Sequence, residues 1–451
     1  MTLLRESYLF HLWMALCSVY EGSAIHRMLA AAGGWCSRQI DESRVLRPLC
    51  REGVVARAWP DSCLCRLLTA LVNLPGWLLH KLYTALPVTF EDSLFARLAF
   101  EMGDETAIAQ FWCICLLWSI PFAYWNNAYS LMGFAALLML FYAGAMRRKD
   151  FRLDLANIGF YPLVLFGAMF LAVFFSYAPS LSLRFLFYHI SAALCVLVTV
   201  SAVRCTEDLK RLAAGGAVCV AVSGVYGIIQ RIQGVEVSRS NVDLKVNAGM
   251  PGRVESYFDN ANTFAEVLIL LLPLVLALIL CSRHLFSKLV ASGVLVVGVA
   301  ALGMTYSRAS WVGMACAMVV MVFLWKPRLI PAFAVLCCLA VPFLPTTIWN
   351  RILTITNLSD SSTASRVPLL KAALEVIRTR PLWGAGLGTA APQAYIAEWN
   401  LYHADFPYVH SHNFYLEVWV EAGLLGVVSF VASMLWNIKR AAHTVRHCGD
   451  S

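Results

Sequence analysis

Residues 263–281 read TFAEVLILLLPLVLALILC, and Glu266 is the only charged residue among them. A helix on the surface of a soluble protein needs a polar face, and this run is apolar on every side. Its length suits a segment that crosses the hydrocarbon core of a bilayer, which takes about 20 residues. Because hydrocarbon offers the backbone no hydrogen-bond partner, such a run must be an α-helix. The stretch therefore predicts a transmembrane helix.

The composition of the whole chain agrees with this stretch. Of its 451 residues, 60% are hydrophobic and 14% are charged, whereas a soluble domain carries about 25% charged residues. Apolar runs of similar length predict spans at 107–125, 129–146, 157–177, 182–203, 211–230, 263–281, 287–305, 310–325, 329–345 and 414–436. We therefore expect an all-α fold, a polytopic transmembrane helix bundle of about ten spans.

The chain divides into four segments by this pattern: an N-terminal cytoplasmic or interfacial region of unknown role (1–106), the transmembrane bundle (107–345), a large extracytoplasmic catalytic loop between the last two spans (346–413), and the last span with a short cytoplasmic tail (414–451). Within the first segment, residues 67–88 are apolar but interrupted by Pro75, His80 and Lys81. These interruptions favour an amphipathic or interfacial helix, with a true span as the alternative.

Basic residues follow every second predicted span. The clusters lie at 147–152, 204–211, 283–288, 326–328 and 439–440. When ten spans are threaded alternately, all of these clusters fall on one side of the membrane. Cytoplasmic loops carry an excess of Lys and Arg, so this side is predicted to be the cytoplasm, with both termini on it. The net charge of +8 has the same origin, and we expect no nucleic-acid partner.

The first polar segment on the opposite side is PGRVESYFDNAN, residues 251–262, which leads directly into a span. Arg253 offers a planar fork of donors that matches a phosphate. Asn260 and Asn262 are able to cap the helix and to donate hydrogen bonds. The simpler alternative is a polar loop that ends in a helix cap.

The second polar segment is TYSRASWVG, residues 305–313, a tight turn between two apolar runs. Arg308 lies in this turn, and an arginine at such a depth is costly and is a functional candidate by default. Backbone donors at a helix start also favour an anion. The alternative is an interfacial anchor, in which Arg308 extends toward water and Trp311 belongs to the aromatic belt.

The third polar segment is the long loop with its exit into the last span. It contains Arg366, and it ends at His412 and Asn413. Glu417 and Glu421 follow inside the span, and their spacing of four places them on one helical face with Asn413. Carboxylates at such a position need partners, for which arginines from neighbouring loops are the candidates.

Two features of this loop allow other interpretations. The glycines of the segment 384–388 could cradle a phosphate, but a turn that lets the loop pack closely is the more frequent reason for them. A set of residues could bind a metal ion, namely His403, Asp405, His410 and His412. We favour His412 as a general base over a metal ligand, because it lies where the chain enters a span.

The turn SRASWVG at 307–313 and the motif HNFYLEVWVEAGLLG at 412–426 resemble the bacterial O-antigen ligase and O-antigen polymerase family. The segment with Arg253 and Asn262 before a span resembles a further motif of that family. The resemblance covers roughly residues 160–436. It implies a glycosyltransferase in the bacterial plasma membrane.

Such an enzyme would transfer or polymerise a glycan from a polyprenyl-diphosphate-linked donor onto an acceptor glycan, lipid or protein at the outer face of the membrane. It would invert the anomeric carbon and need no cofactor and no metal. The expected catalytic residues are His412 and Glu421, and the expected substrate-binding residues are Arg253, Arg308, Arg366, Asn262 and Asn413. The main alternative is a transporter or flippase of lipid-linked glycans, which would carry charges or broken helices near mid-membrane.

Overall fold

The computed structural model describes residues 8–44, 53–118, 120–235, 251–340, 342, 345–353, 366–404 and 408–447. In these ranges the chain forms α-helices and short 3₁₀ turns, and no strand occurs among them. The α-helices in chain order are α1 (Tyr8–Glu21), α2 (Ala24–Glu42), α3 (Val54–Ala58), α4 (Cys63–Ala85), α5 (Pro87–Glu91), α6 (Leu94–Asp104), α7 (Thr106–Trp118), α8 (Asn127–Arg147), α9 (Leu155–Ile158), α10 (Phe160–Phe174), α11 (Pro179–Ala202), α12 (Thr206–Gln233), α13 (Ala261–Cys281), α14 (Leu285–Met304), α15 (Arg308–Trp325), α16 (Ile330–Ala340), α17 (Thr346–Leu353), α18 (Arg366–Thr379), α19 (Ala390–Glu398) and α20 (Phe414–His447).

Eight of the described helices are long and apolar enough to cross a membrane, namely α4, α8, α11, α12, α13, α14, α15 and α20. Three shorter apolar helices lie at Thr106–Trp118, Phe160–Phe174 and Pro327–Leu339. The prediction of an all-α, polytopic transmembrane protein is thus confirmed. The count of about ten spans is not confirmed, because three of the predicted spans correspond to the shorter helices. The large loop between the last two spans is likewise not confirmed and stays a prediction.

One of these shorter helices ends early for a local reason. The sequence predicted a span to residue 177, whereas α10 ends at Phe174. The backbone N–H of Tyr177 donates to the carbonyl of Ala385 (3.0 Å), and the hydroxyl of Ser176 donates to the same oxygen (3.2 Å). These bonds to a distant loop replace the bonds that would continue the helix.

The N-terminal region contains a helix of span length where the sequence favoured an interfacial helix. α4 packs on α8, and the hydroxyl of Tyr142 donates to the carbonyl of Val72 (2.5 Å). Gly76 faces the same helix, where a β-carbon would lie 3.3 Å from that of Ala145. Its length and composition are those of a transmembrane helix, the alternative that the sequence left open.

The chain forms two compact units. One comprises residues 1–52, 312–349 and 437–451, and the other comprises 53–311 and 350–436. In the first unit, Gly33 of α2 lies against the backbone of Arg328, where a β-carbon would meet its carbonyl oxygen at 2.3 Å. All residues of the candidate site belong to the second unit.

The core of the second unit is built around α13. Phe264, Leu268, Leu272 and Val275 are buried on it, at the spacing of one helical face. Gly298 of α14 meets this face, since a β-carbon there would lie 2.6 Å from Leu272. α12, α13 and α14 therefore pack closely, and the chain reverses direction between them.

Candidate functional site

The loop that leads into α13 is fixed by a helix cap. The side-chain oxygen of Asn260 accepts hydrogen bonds from the backbone N–H groups of Asn262 (2.8 Å) and Thr263 (3.4 Å). Asparagine is among the residues preferred at this position, because its side chain satisfies N–H groups that lack a helical partner. The cap predicted from the sequence is therefore present.

Arg253 joins this loop to the turn before α15. Its Nε donates to the carbonyl of Thr305 (2.8 Å), and its Nη2 donates to Oδ1 of Asn262 (2.5 Å). The backbone N–H of Val254 also donates to the carbonyl of Met304 (3.1 Å). These bonds orient the partly exposed guanidinium at the end of the helices, where the first two polar segments meet.

The turn before α15 completes this first group. The hydroxyl of Ser307 donates to Oδ1 of Asn262 (3.0 Å) and lies 2.9 Å from the hydroxyl of Ser310. Tyr306 has a positive φ of 50°, and Arg308 is the first residue of α15. The structure thus brings Arg253, Asn262 and Arg308 to one end of the helices. The sequence did not identify Ser307 as a link, although its place beside Arg308 was visible.

A second group forms where the chain enters α20. Oε2 of Glu417 accepts two hydrogen bonds from Ser411, one from the backbone N–H (2.8 Å) and one from the hydroxyl (2.7 Å). Oδ1 of Asn413 accepts from the backbone N–H groups of Tyr415 (3.1 Å) and Leu416 (3.3 Å), so Asn413 caps the helix. Ser411, which the sequence did not single out, is buried and anchors the turn.

His412 is the central residue of that turn. It has a positive φ of 53°, its backbone N–H donates to Nδ1 of His410 (3.2 Å), and the two ring centres lie 4.0 Å apart. Its pKa is lowered to about 4, first because protein atoms remove water from part of the ring, and then because of His410 and Arg366. The ordinary pKa of histidine is about 6.5, so these surroundings keep the ring neutral at pH 7. Arg366, the first residue of α18, acts on His412 electrostatically.

Glu421 lies just before a break in α20. Its carboxylate accepts a hydrogen bond from the backbone N–H of Gly388. Two residues later, Gly423 has a φ of 67° and a ψ of −165°, outside the helical region. A β-carbon on Gly423 would lie 2.0 Å from the carbonyl oxygen of Leu382. The helix is therefore interrupted where the loop that contains Leu382 and Gly388 packs against it.

That loop supplies the hydrogen bonds that the break removes. The carbonyl of Val420 accepts from the N–H of Ala385 (2.6 Å), and the carbonyl of Glu421 accepts from the N–H of Gly386 (3.2 Å). The N–H of Leu424 donates to the carbonyl of Pro381 (3.0 Å). The glycines of this loop thus serve close packing, the more frequent explanation that the sequence analysis gave, and all three at 384, 386 and 388 have positive φ.

Tyr408 is a further residue near the carboxylates. Burial raises its pKa, and the charges of Glu417 and Glu421 raise it further. The Tyr408 hydroxyl and Oε1 of Glu417 are both buried and form no hydrogen bond with the residues that the structure describes. Gln393 donates to the Tyr408 carbonyl (2.7 Å) and so fixes the backbone there. Sequence reasoning assigned no role to Tyr408, since only the fold places it beside the carboxylates.

In the described part of the chain, no three His, Cys, Asp or Glu side chains are close enough to share a metal ion. The described residues therefore give the metal-ligand interpretation no support. Asp405, one of its four residues, lies outside the described residues. The hydrogen bonds of Arg253 and Ser307 stay within the first group, and those of Glu417 and His412 stay within the second.

The helices define a multi-pass membrane protein, and the two polar groups at the ends of its helices form its candidate site. A family model described as O-antigen ligase matches residues 293–431, which confirms the resemblance for that part of the chain. The match includes Arg308, Arg366, His412, Asn413 and Glu421. No curated protein and no solved structure matches the chain.

Proposed function

We propose that the protein is a membrane glycosyltransferase that transfers or polymerises a glycan from a polyprenyl-diphosphate-linked donor. The acceptor is a hydroxyl of another glycan, a lipid or a protein, at the outer face of a bacterial plasma membrane. The match of residues 293–431 to the O-antigen ligase family carries this proposal. The multi-pass fold supports it, because a donor with a polyprenyl chain stays in the bilayer.

The reaction is a displacement at the anomeric carbon of the donor. The acceptor oxygen forms a bond to this carbon, the bond to the diphosphate oxygen breaks, and polyprenyl diphosphate leaves with the bonding electrons. The acceptor proton passes to Nε2 or Nδ1 of His412, which is neutral at pH 7 because its pKa is low. A single displacement inverts the anomeric carbon.

The leaving diphosphate needs positive charge more than it needs an acid. Arg253, Arg308 and Arg366 supply guanidinium groups, whose planar forks suit phosphate oxygens. Arg253 is already oriented by Thr305 and Asn262, so less side-chain entropy is lost on binding. Such a mechanism uses charge that the chain itself provides, and we propose that it needs neither a metal ion nor a cofactor.

Glu421 and Asn413 act through position in this proposal. Glu421 accepts a hydrogen bond from the backbone N–H of Gly388 and lies near Tyr408. Asn413 caps α20 directly after His412, and so fixes the direction in which the helix leaves the site. Both residues would hold His412 and the loop at 381–388 in position against a bound donor.

Glycan transfer in reconstituted liposomes tests the proposal. Purified wild-type protein and the His412→Ala variant are given a polyprenyl-diphosphate glycan and a candidate acceptor lipid in the presence of EDTA. We expect transfer with inversion by the wild type and a loss of at least about 100-fold in the variant, the range of a general base. Equal transfer by both proteins would remove His412 from the mechanism, and loss of wild-type transfer with EDTA would restore the metal interpretation.

A transporter of lipid-linked glycans is the second candidate, and the break at Gly423 favours it. Broken helices in membranes often line substrate or ion sites. In this protein, however, the loop at 381–388 pairs with the exposed backbone groups of the break, so the break serves packing. Flipping of the donor across the same liposomes, without transfer to any acceptor, would identify a transporter.

A further inference from the structure

A cavity lies at the other end of the helices from the candidate site. Its volume is about 670 Å³, and it is lined by residues from the start of α12, the end of α13 and the start of α14. The candidate site lies at the opposite ends of the same helices. A helix of some 20 residues separates them by roughly 30 Å, the thickness of the hydrocarbon core. The cavity therefore opens near the other membrane surface.

The inner walls of this cavity are apolar. On α12 the lining residues Ala214, Ala217, Val218 and Ala221 follow the spacing of one helical face. Val290, Ala291 and Val294 of α14 lie across from them. Small side chains on α12 therefore leave an apolar groove between α12 and α14.

The rim of the cavity is charged. Lys210, Arg211, Arg283 and His284 line it with Glu207. Lys210 pairs with Glu207 (3.4 Å), and Arg211 pairs with both Asp208 (3.3 Å) and Glu105 (3.5 Å), so the charges of these two cations are balanced. Arg283 is exposed and forms no ion pair with any residue that the structure describes. Arg283 is therefore the cation of the rim that no carboxylate of the described residues pairs with, and it is available to an anion.

We propose that this cavity is a binding site for an anionic phospholipid. The phosphate lies at Arg283 and Lys210, and one acyl chain lies along the small residues of α12. Basic pockets between transmembrane helices attract anionic headgroups, at about 1 kcal/mol for each Lys or Arg near the surface. A volume of about 670 Å³ is within the range of sites for small ligands. The site needs no glycan, so it stands independently of the proposed glycosyltransferase activity.

The experiment measures lipid binding to the full-length protein in a neutral detergent by native mass spectrometry. Phosphatidylglycerol and phosphatidylcholine with the same acyl chains are the probes. We expect phosphatidylglycerol to bind more tightly, and its affinity to fall roughly 30-fold in the double variant Lys210→Gln/Arg283→Gln. The matched control is Lys288→Gln, which removes an exposed charge on α14 that does not line the cavity.

A second variant tests the apolar wall separately. Ala221→Phe narrows the groove and leaves the rim charges in place, so we expect weaker binding of phosphatidylglycerol than in the wild type. Equal affinity for the two lipids, or wild-type affinity in the double variant, would overturn the proposal. Displacement of phosphatidylglycerol by a polyprenyl phosphate at equal concentration would assign the cavity to the polyprenyl chain instead.

Discussion

His412 adopts a backbone conformation that few residues other than glycine adopt, with φ at 53°. A positive φ costs about 1–3 kcal/mol in a non-glycine residue and persists only where neighbours enforce it. Here the neighbour is Glu417, whose two hydrogen bonds to Ser411 fix the turn. We hypothesise that this strained turn holds the imidazole of His412 in a fixed position. Mutation of Glu417 tests the hypothesis.

We predict that Glu417→Gln lowers kcat/KM for glycan transfer by about 10- to 100-fold, because hydrogen bonds to a charged group are worth about 1.5–3 kcal/mol. The effect should fall on kcat more than on KM, since Glu417 positions the base and does not contact the donor in the proposal. Glu375→Gln is the control, as Glu375 forms an exposed pair with Arg378 (2.8 Å) that is worth little. Equal losses in the two variants would contradict a positioning role.

The pKa of His412 predicts a pH dependence. The base form is the neutral imidazole, so activity is full above the pKa and is lost as pH falls through it. In the free protein this pKa is about 4, and kcat/KM should therefore stay high down to about that pH. A bound diphosphate carries negative charge that raises the pKa, so the acid limb of kcat should lie at higher pH.

Liposome transfer rates between pH 3 and pH 8 measure the acid limb of kcat/KM and the acid limb of kcat. The His412→Ala variant is the control, and its residual activity should lack the acid limb. An acid limb of kcat/KM near the ordinary histidine value of about 6.5 would show that the groups around His412 act differently in the bilayer.

At the scale of one helix, the decisive feature is the break in α20. A membrane helix tolerates open backbone groups only where other parts of the protein satisfy them. The loop at 381–388 meets this need with the N–H groups of Ala385 and Gly386, and the fit requires a residue without a side chain at Gly423. The loop and the break therefore form one structural unit next to Glu421.

We predict that Gly423→Ala destabilises the protein by at least about 2 kcal/mol, because the added carbon meets the carbonyl of Leu382 and the backbone has a positive φ. Gly167→Ala is the matched control. Gly167 lies inside α10 with nothing near its added carbon, so the change should be neutral or should stabilise by up to about 1 kcal/mol. Thermal unfolding of the purified protein in detergent measures both. A neutral Gly423→Ala would show that α20 can form without the break.

At the scale of the whole molecule, the order and direction of α12, α13 and α14 decide which residues lie at the same end of these helices. Asn262 and Ser307 are far apart in sequence, yet their side chains lie 3.0 Å apart because α13 and α14 run in opposite directions. The cavity with Arg283 lies at the other end of the same helices. The basic residues near the cavity predict that this end of the helices faces the cytoplasm.

Labelling with a membrane-impermeant thiol reagent tests this orientation. We predict that Ala397→Cys on α19 reacts in intact spheroplasts, because it is exposed in the segment predicted to be extracytoplasmic. Lys288→Cys, exposed on α14 at the basic end, should react only after the membrane is permeabilised. Wild-type protein labelled in parallel corrects for the native cysteines. The reverse pattern would invert the topology and place the candidate site in the cytoplasm.

The sequence by itself determined that the solvent is lipid, that the fold is helical and multi-pass, and where the family motifs lie. These conclusions depend on local composition, because apolar surface contributes to membrane insertion residue by residue. The same local signal overestimated the length of α10, whose end depends on a bond from Tyr177 to Ala385.

Only the tertiary structure decided which polar groups meet. Composition does not specify which backbone positions come together in the folded chain. Three features depend on such positions: the bond from Arg253 to Thr305, the two bonds from Ser411 to Glu417, and the break at Gly423. The low pKa of His412 likewise depends on its surroundings, with Arg366 brought close by folding. Hydrogen bonds and charges act at short range in space, so their partners are known only once the chain has folded.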